Sequence, residues 1–383
     1  MNIKGGRTYN LDLLRIVAMV MIVTLHFLGK GQVLTAYPNP SLKYYAVWGV
    51  EAACLIAVNC YVLLSGYFLV HSQFKVKKVV ALALQVLFYS LGIYSLLMSL
   101  GIAKFSSVDL FNSLFPILSG VYWFISIYMA MYILSPFLNK LLLSIDRKTH
   151  LLLVTCLIFI FSVWPSFFVL GDSFTFAGLN ITNGYSAIWF ITLYCVAAFI
   201  RLHYKPSYNL KKYLKRYVGI AVTGISVFTV TNYLGTVAHN QYFSALFPQM
   251  QGYNSLVIFS ASLALFMVFV NLKITNERVN RAIGVLSPLT FGVYLIHIEP
   301  HMNTWLWQTL SPSSHIYNPR FVLYAFVVVM SIYAACSVID WCRLKIFGLV
   351  ARTSISQNIN NIITRFLLNI GHKAAYAVER IVN

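Results

Sequence analysis

Apolar stretches of about 20 residues recur along this chain as far as residue 342, and a bilayer with a hydrocarbon core about 30 Å thick is the environment that demands them. They fall at about 11–29, 46–70, 79–101, 121–142, 151–170, 185–201, 216–235, 254–272, 286–300 and 320–342. Each run is continuous rather than alternating, which excludes a β-barrel; only helices or closed barrels satisfy the backbone in lipid. The expectation is an all-α polytopic membrane protein of about ten transmembrane helices. No stretch before residue 347 is polar enough for a soluble domain in a chain that is 59% hydrophobic and 10% charged. One transmembrane domain over 1–346 and a short tail over 347–383 is the division expected. In the tail, Ile355, Ile359, Ile362, Ile363, Phe366 and Leu367 recur at helical spacing among Arg352, Arg365, Lys373 and Arg380, the pattern of an amphipathic helix on the inner leaflet.

A net charge of +19 raises the question of nucleic acid, and the distribution of the charge answers it. Lys and Arg lie in short clusters between apolar segments, not on a basic surface interleaved with aromatics. The segments 1–15, 71–78, 139–150, 201–216, 273–283 and 343–383 hold 24 of the 28 Lys and Arg, leaving Lys30, Lys43, Lys104 and Arg320 outside. By the positive-inside rule those segments are cytoplasmic. Both termini are then cytoplasmic, and the cell (plasma) membrane is the expected location. Lys4 and Arg7 before an apolar run resemble a signal peptide, but Asp12 and Arg15 interrupt the run; a retained first helix is expected.

All six cysteines lie inside apolar segments, with no CxxC pair and no ligand cluster with His. Buried, inert thiols are expected, with no metal and no disulfide framework. The outer loops, such as Ala36 to Pro40, Leu179 to Tyr185 and His239 to Tyr253, are rich in Tyr, Asn, Ser and Pro. Such groups suit stacking on sugar rings, and they equally suit the aromatic belt of any membrane protein.

Ionisable side chains in lipid are costly and are functional candidates by default. The first helix carries Asp12, Arg15 and His26. Arg15 and His26 are about three turns and about 16 Å apart on one face of an α-helix, and Asp12 is one turn from Arg15, within pairing distance. An ion pair near the inner surface and an imidazole above it follow; snorkelling of the pair to the cytosol is the plain alternative. Glu51, in the second helix, is a candidate to orient His26. Glu299 and His301 either line an entry to the site or are solvated at a helix end. Trp123 and Tyr122 read first as interfacial anchors and second as substrate platforms. His71, His150, His203, His239, His315 and His372 fall in loops or tails and have nothing to single them out.

The stretch Asn10 to Phe27, with Leu11-Asp12 and Leu14-Arg15 ahead of an apolar run ending in His26, resembles the opening helix of the acyltransferase-3 family. The resemblance continues at Ser65-Gly66-Tyr67, at Trp123-Phe124 with Tyr128, Tyr132 and Pro136, and at Tyr294-Leu295-Ile296-His297. It covers most of the chain in the family's order, and the ten-helix topology with both ends inside agrees. In one respect the chain departs: where the family often has an Arg-x-x-Arg pair after the Ser-Gly motif, this sequence has Lys75 and Lys78. Lysine keeps the charge and loses the bidentate fork that grips phosphate.

The resemblance implies transfer of an acyl group, commonly acetyl, from cytosolic acyl-CoA to a hydroxyl of an extracytoplasmic glycan or lipid-linked precursor, without a metal. It points to His26, Arg15 and Asp12 as the catalytic set and to Arg15, Lys75 and Lys78 as cations for the donor's phosphates. Glu51, Ser65, Tyr67, Trp123, Tyr294, His297 and Glu299 would support the acceptor. A neutral imidazole at position 26 suits a general base, because a hydroxyl attacks poorly unless its proton is taken as the bond forms. A flippase or other transporter component for surface polysaccharide is the competing class, and a scaffold the third. There is no phosphate-binding Gly-Lys-Ser/Thr loop and no hydrolase-type nucleophile elbow. A transporter's inverted repeats are not found. The acyl group, the acceptor sugar and the oligomeric state are not legible.

Overall fold

A computed structural model describes residues 7–167 and 182–350. The amphipathic helix expected in the tail lies outside the described residues from 351 onward, and so do Leu179, Asn180 and Ile181 of the loop Leu179 to Tyr185. Among the described residues there are no strands. The helices are α1 (Tyr9–Gly29), α2 (Leu42–Leu69), α3 (Val76–Ser99), α4 (Ser107–Leu114), α5 (Trp123–Ser144), α6 (Arg147–Phe167), α7 (Ala187–His203), α8 (Leu210–Thr236), α9 (Gln241–Met250), α10 (Leu256–Val270), α11 (Glu277–Ile298), α12 (Pro300–Leu310) and α13 (Phe321–Val350).

Eight of these (α1, α2, α3, α5, α6, α8, α11 and α13) are long and apolar enough to cross a membrane. The two shorter apolar helices, α7 with 17 residues and α10 with 15, occupy the remaining predicted segments. The chain is thus an all-α polytopic membrane protein. The helices start on residues that satisfy the orphan N–H groups of a first turn. Ser41, Ser106, Asp146, Ser186, Asn209, Ser255 and Asn276 all accept from a backbone N–H two or three residues on. In α11, Pro288 sits in a 3₁₀ turn over Ser287–Leu289 that joins two α-helical halves, as expected where proline withholds its N–H.

One end of the bundle collects the basic segments. There Asn10 Nδ2 donates to the Phe269 carbonyl, and Asn139 Nδ2 to the Leu69 carbonyl. The core forms where α1 packs on α2 and α2 on α7. Gly66 permits the second contact: a Cβ there would lie 2.8 Å from Tyr194 Cα and 2.9 Å from its carbonyl oxygen. The Ser-Gly-Tyr motif therefore contains a packing glycine. Cys54, Cys60, Cys195 and Cys336 are buried, as expected, but Cys156 and Cys342 are exposed on the outside of the bundle.

Candidate active site

Four residues of α1, namely Arg15, Met19, Ile22 and His26, recur at the spacing of one helical face. Met19, Ile22 and His26 line a cavity of about 90 Å³, with room for several waters or a short acyl chain. Val58 and Tyr61 of α2, Trp123 and Phe124 of α5, Phe291 and Tyr294 of α11, and Tyr253 form the other walls.

His26 enters a hydrogen-bond chain that fixes its tautomer. Its Nδ1 lies 3.0 Å from Nε2 of His297, a fully buried residue. Nδ1 of His297 in turn faces the Val293 carbonyl one turn earlier. A carbonyl only accepts, so Nδ1 of His297 carries a proton and donates. In a neutral His297 the Nε2 is then an acceptor, and the His26 Nδ1–H is its donor. A neutral His26 is left with an unprotonated Nε2, which makes no hydrogen bond among the described residues. Tyr294, on the cavity wall, has a buried hydroxyl with no partner among them either.

Arg15 does not line the cavity, though one side chain joins it to the cavity. The Tyr61 hydroxyl donates to the Arg15 carbonyl at 2.7 Å, and Tyr61 is a cavity wall. The Arg15 guanidinium lies 5.3 Å from the Phe68 ring centroid and donates to Asp12 Oδ1 at 2.6 Å. Asp12 is the hub: Arg7 Nε donates to Oδ2 at 2.6 Å and Ser287 Oγ to Oδ1 at 3.0 Å. The pairing expected of Asp12 and Arg15 is present, with Arg7 and the turn of α11 added.

From the cavity, stacked rings lead along α5 to the basic end. Phe124 and Tyr128 stack at 6.2 Å, Tyr128 and Tyr132 at 6.4 Å, and Tyr132 meets Phe74 at 5.2 Å. The Tyr132 hydroxyl accepts from the Lys75 backbone N–H at 3.3 Å. Lys75, Lys77 and Lys78 are exposed at this end. Ser65 donates to the Tyr61 carbonyl, and the Tyr67 hydroxyl accepts from Arg201 at 3.2 Å. Tyr67 thus belongs to the basic end, not to the cavity.

A family model described as an acyltransferase domain, of the acyltransferase-3 type, matches residues 8–340. The chain belongs to the acyltransferase-3 family. No curated protein and no solved structure matches it.

Several sequence expectations for this acyltransferase-3 chain are corrected by the structure. Glu51 does not orient His26, whose partner is His297; Glu51 Oε2 is buried without a hydrogen bond among the described residues. Trp123 and Tyr122 are not interfacial anchors. Trp123 stacks on Tyr253 at 5.7 Å in the cavity wall, and Tyr122 is fully buried with its hydroxyl 3.2 Å from the Leu295 carbonyl. Glu299 neither lines an open approach nor is solvated. It is buried and caps α12 through the Met302 N–H at 2.7 Å, with His301 Nδ1 at 3.2 Å. Burial raises its carboxyl above the usual range, and these two donors oppose the rise. His150 is no loop residue: it is fully buried, and its Nε2 meets the Cys195 carbonyl at 3.1 Å.

Sequence reasoning also passed over Tyr61 and Asp340, and placed Tyr253 only among the aromatics of an outer loop. Asp340 is fully buried in α13, accepts from Tyr89 and Arg343 at 2.7 Å each, and sits against Gly292, where a Cβ would overlap it. An acid in an apolar segment with arginine three residues later was the available signal.

Proposed function

We propose that this protein is a plasma-membrane O-acyltransferase that moves an acyl group, acetyl being the simplest fit, from cytosolic acyl-CoA to a hydroxyl of an extracytoplasmic glycan or its lipid-linked precursor. The observation that carries the reading is the imidazole of His26, held through Nδ1 by His297 at 3.0 Å and lining an aromatic cavity. The concentration of cations at one end supports a cytoplasmic basic face and cytoplasmic termini. The coenzyme's phosphates would meet Arg15, Lys75 and Lys78 there, and the ladder from Phe74 to Phe124 marks the line its thioester arm would follow.

The chemistry then needs few groups. Nε2 of His26 takes the acceptor hydroxyl's proton as its oxygen bonds to the thioester carbonyl carbon. The carbon–sulfur bond breaks, and the proton passes to the departing thiolate to give free coenzyme A and an ester. When Nε2 gains a proton, the Nδ1–H bond to His297 becomes charge-assisted and strengthens. The free Tyr294 hydroxyl is a donor for the carbonyl oxygen as negative charge develops on it. Arg15 and Asp12 act from a distance as donor-binding and positioning groups.

The test is the acyl content of the surface glycan from a strain lacking the gene. An acyltransferase leaves the polymer intact and unacylated; loss of the polymer itself would point to a flippase instead. Complementation with His26→Ala restores membrane protein without restoring acylation, and normal acylation in that strain would remove His26 from the mechanism.

A further inference from the structure

Beyond the end of α1 lies a second cavity, of about 400 Å³, whose lining is polar. Lys30, Gly31 and Gln32 form one wall, and α12 supplies Asn303, Trp307 and Gln308 from a single face. The walls are pinned together. The Ser313 N–H donates to the Gly31 carbonyl at 3.2 Å, and a Cβ at Gly31 would lie 2.6 Å from the Pro312 ring. Trp307 is only 4% exposed, packs edge-on against Phe27 at 6.2 Å, and holds a buried indole N–H without a partner among the described residues. Buried N–H groups are normally satisfied; this one lacks a partner among the described residues, and a bound molecule's oxygen would supply it.

The cavity is tied to the dyad on both sides. The Lys30 N–H donates to the His26 carbonyl at 2.9 Å, and Asn303 Nδ2 donates to the His297 carbonyl at 3.0 Å. We infer that this cavity is an acceptor subsite that holds a sugar ring of the glycan beside the ring being acylated. The amides of Gln32 and Gln308, each both donor and acceptor, suit the dense alternating hydroxyls of a sugar better than they suit lipid or a coenzyme phosphate. The Trp307 indole N–H and the Lys30 amine add donors. The Lys30 wall of this cavity stands one helical turn beyond His26 on α1.

The inference rests on the acyltransferase reading, and the experiment separates the two. Membranes containing the full chain are supplied with radiolabelled acetyl-CoA and with unacylated surface glycan from the deletion strain. Gln32→Ala with Gln308→Ala removes two hydrogen-bonding groups, which corresponds to about a tenfold rise in KM for glycan; KM for acetyl-CoA is unchanged. Trp307→Phe keeps an aromatic ring against Phe27 and removes the indole N–H, and raises the same KM about three- to fivefold. Transfer by wild type with a glycan KM unmoved in both variants overturns the subsite and leaves the function standing. Absence of transfer by wild type overturns the acyltransferase reading itself.

Discussion

Replacing His297 by phenylalanine keeps a ring in a fully buried position and takes away the acceptor of the His26 Nδ1 proton. Two effects follow, and only one bears on turnover. The donor left without a partner destabilises the fold by about 1–3 kcal/mol, which lowers the amount of protein. The catalytic effect comes from the charge that appears on His26 as it takes the acceptor's proton. A hydrogen bond to a charged group contributes about 1.5–3 kcal/mol against about 0.5–1.5 for a neutral pair, and only that gain of about 1–1.5 kcal/mol raises kcat. At about 1.36 kcal/mol per tenfold, kcat falls about 5- to 13-fold. Initial rates at saturating acetyl-CoA and glycan, normalised to membrane protein by immunoblot, measure it. His297→Gln offers an amide oxygen in the same region and recovers part of the loss. A phenylalanine variant within twofold of wild type at matched protein levels would show that His26 works without that acceptor, and the tautomer argument would fall.

Two further substitutions probe the support of the site. Arg15→Lys keeps the charge beside Asp12 but loses the plane lying 5.3 Å from Phe68; at about 0.5–1 kcal/mol for an exposed cation–π contact, KM for acetyl-CoA rises about two- to fivefold while KM for glycan stays put. An unchanged donor KM would reduce Arg15 to a helix anchor. Gly66→Ala places a methyl 2.8 Å from Tyr194 Cα and 3.0 Å from Ala197 Cβ, overpacking that costs about 1–3 kcal/mol. The detergent-solubilised protein then unfolds at a lower temperature by tryptophan fluorescence, and an unmoved midpoint would mean that α2 and α7 separate without penalty.

The spans were legible because lipid imposes a length and a polarity that no soluble core requires, and the α1 face was legible because its geometry is local. His26 and His297 are 271 residues apart in sequence, and no periodicity in one chain can pair them; the family motif at Tyr294 to His297 was the only pointer. Glu51 looked the better partner because carboxylate with imidazole is the commoner pairing. Trp123 misled for a different reason. An aromatic residue at the end of an apolar segment gives the same signal whether it faces a lipid headgroup or a cavity, and only the stack on Tyr253 distinguishes the two. For Glu299 the sequence offers a wall of the acceptor's approach or a solvated acid at a helix end, because an acid follows an apolar run there. Its capping role depends on Pro300 opening α12 in the next position, a detail that the hydropathy pattern hides.

The choice of a second imidazole over a carboxylate behind His26 has a physical logic in this setting. A lone carboxylate in a low-dielectric interior demands a cation and further donors to offset its desolvation, and here that demand is visible elsewhere: Asp12 is met by Arg7, Arg15 and Ser287, and Asp340 by Arg343 and Tyr89. Among the described residues no Lys or Arg lines the cavity to serve a carboxylate at position 297. A neutral imidazole needs only hydrogen bonds, and the Val293 carbonyl supplies one end of them from the same helix. In the proposed mechanism the pair rests without net charge and takes it on only as the acceptor is deprotonated, when the Val293 carbonyl dipole is already aimed at the His297 ring.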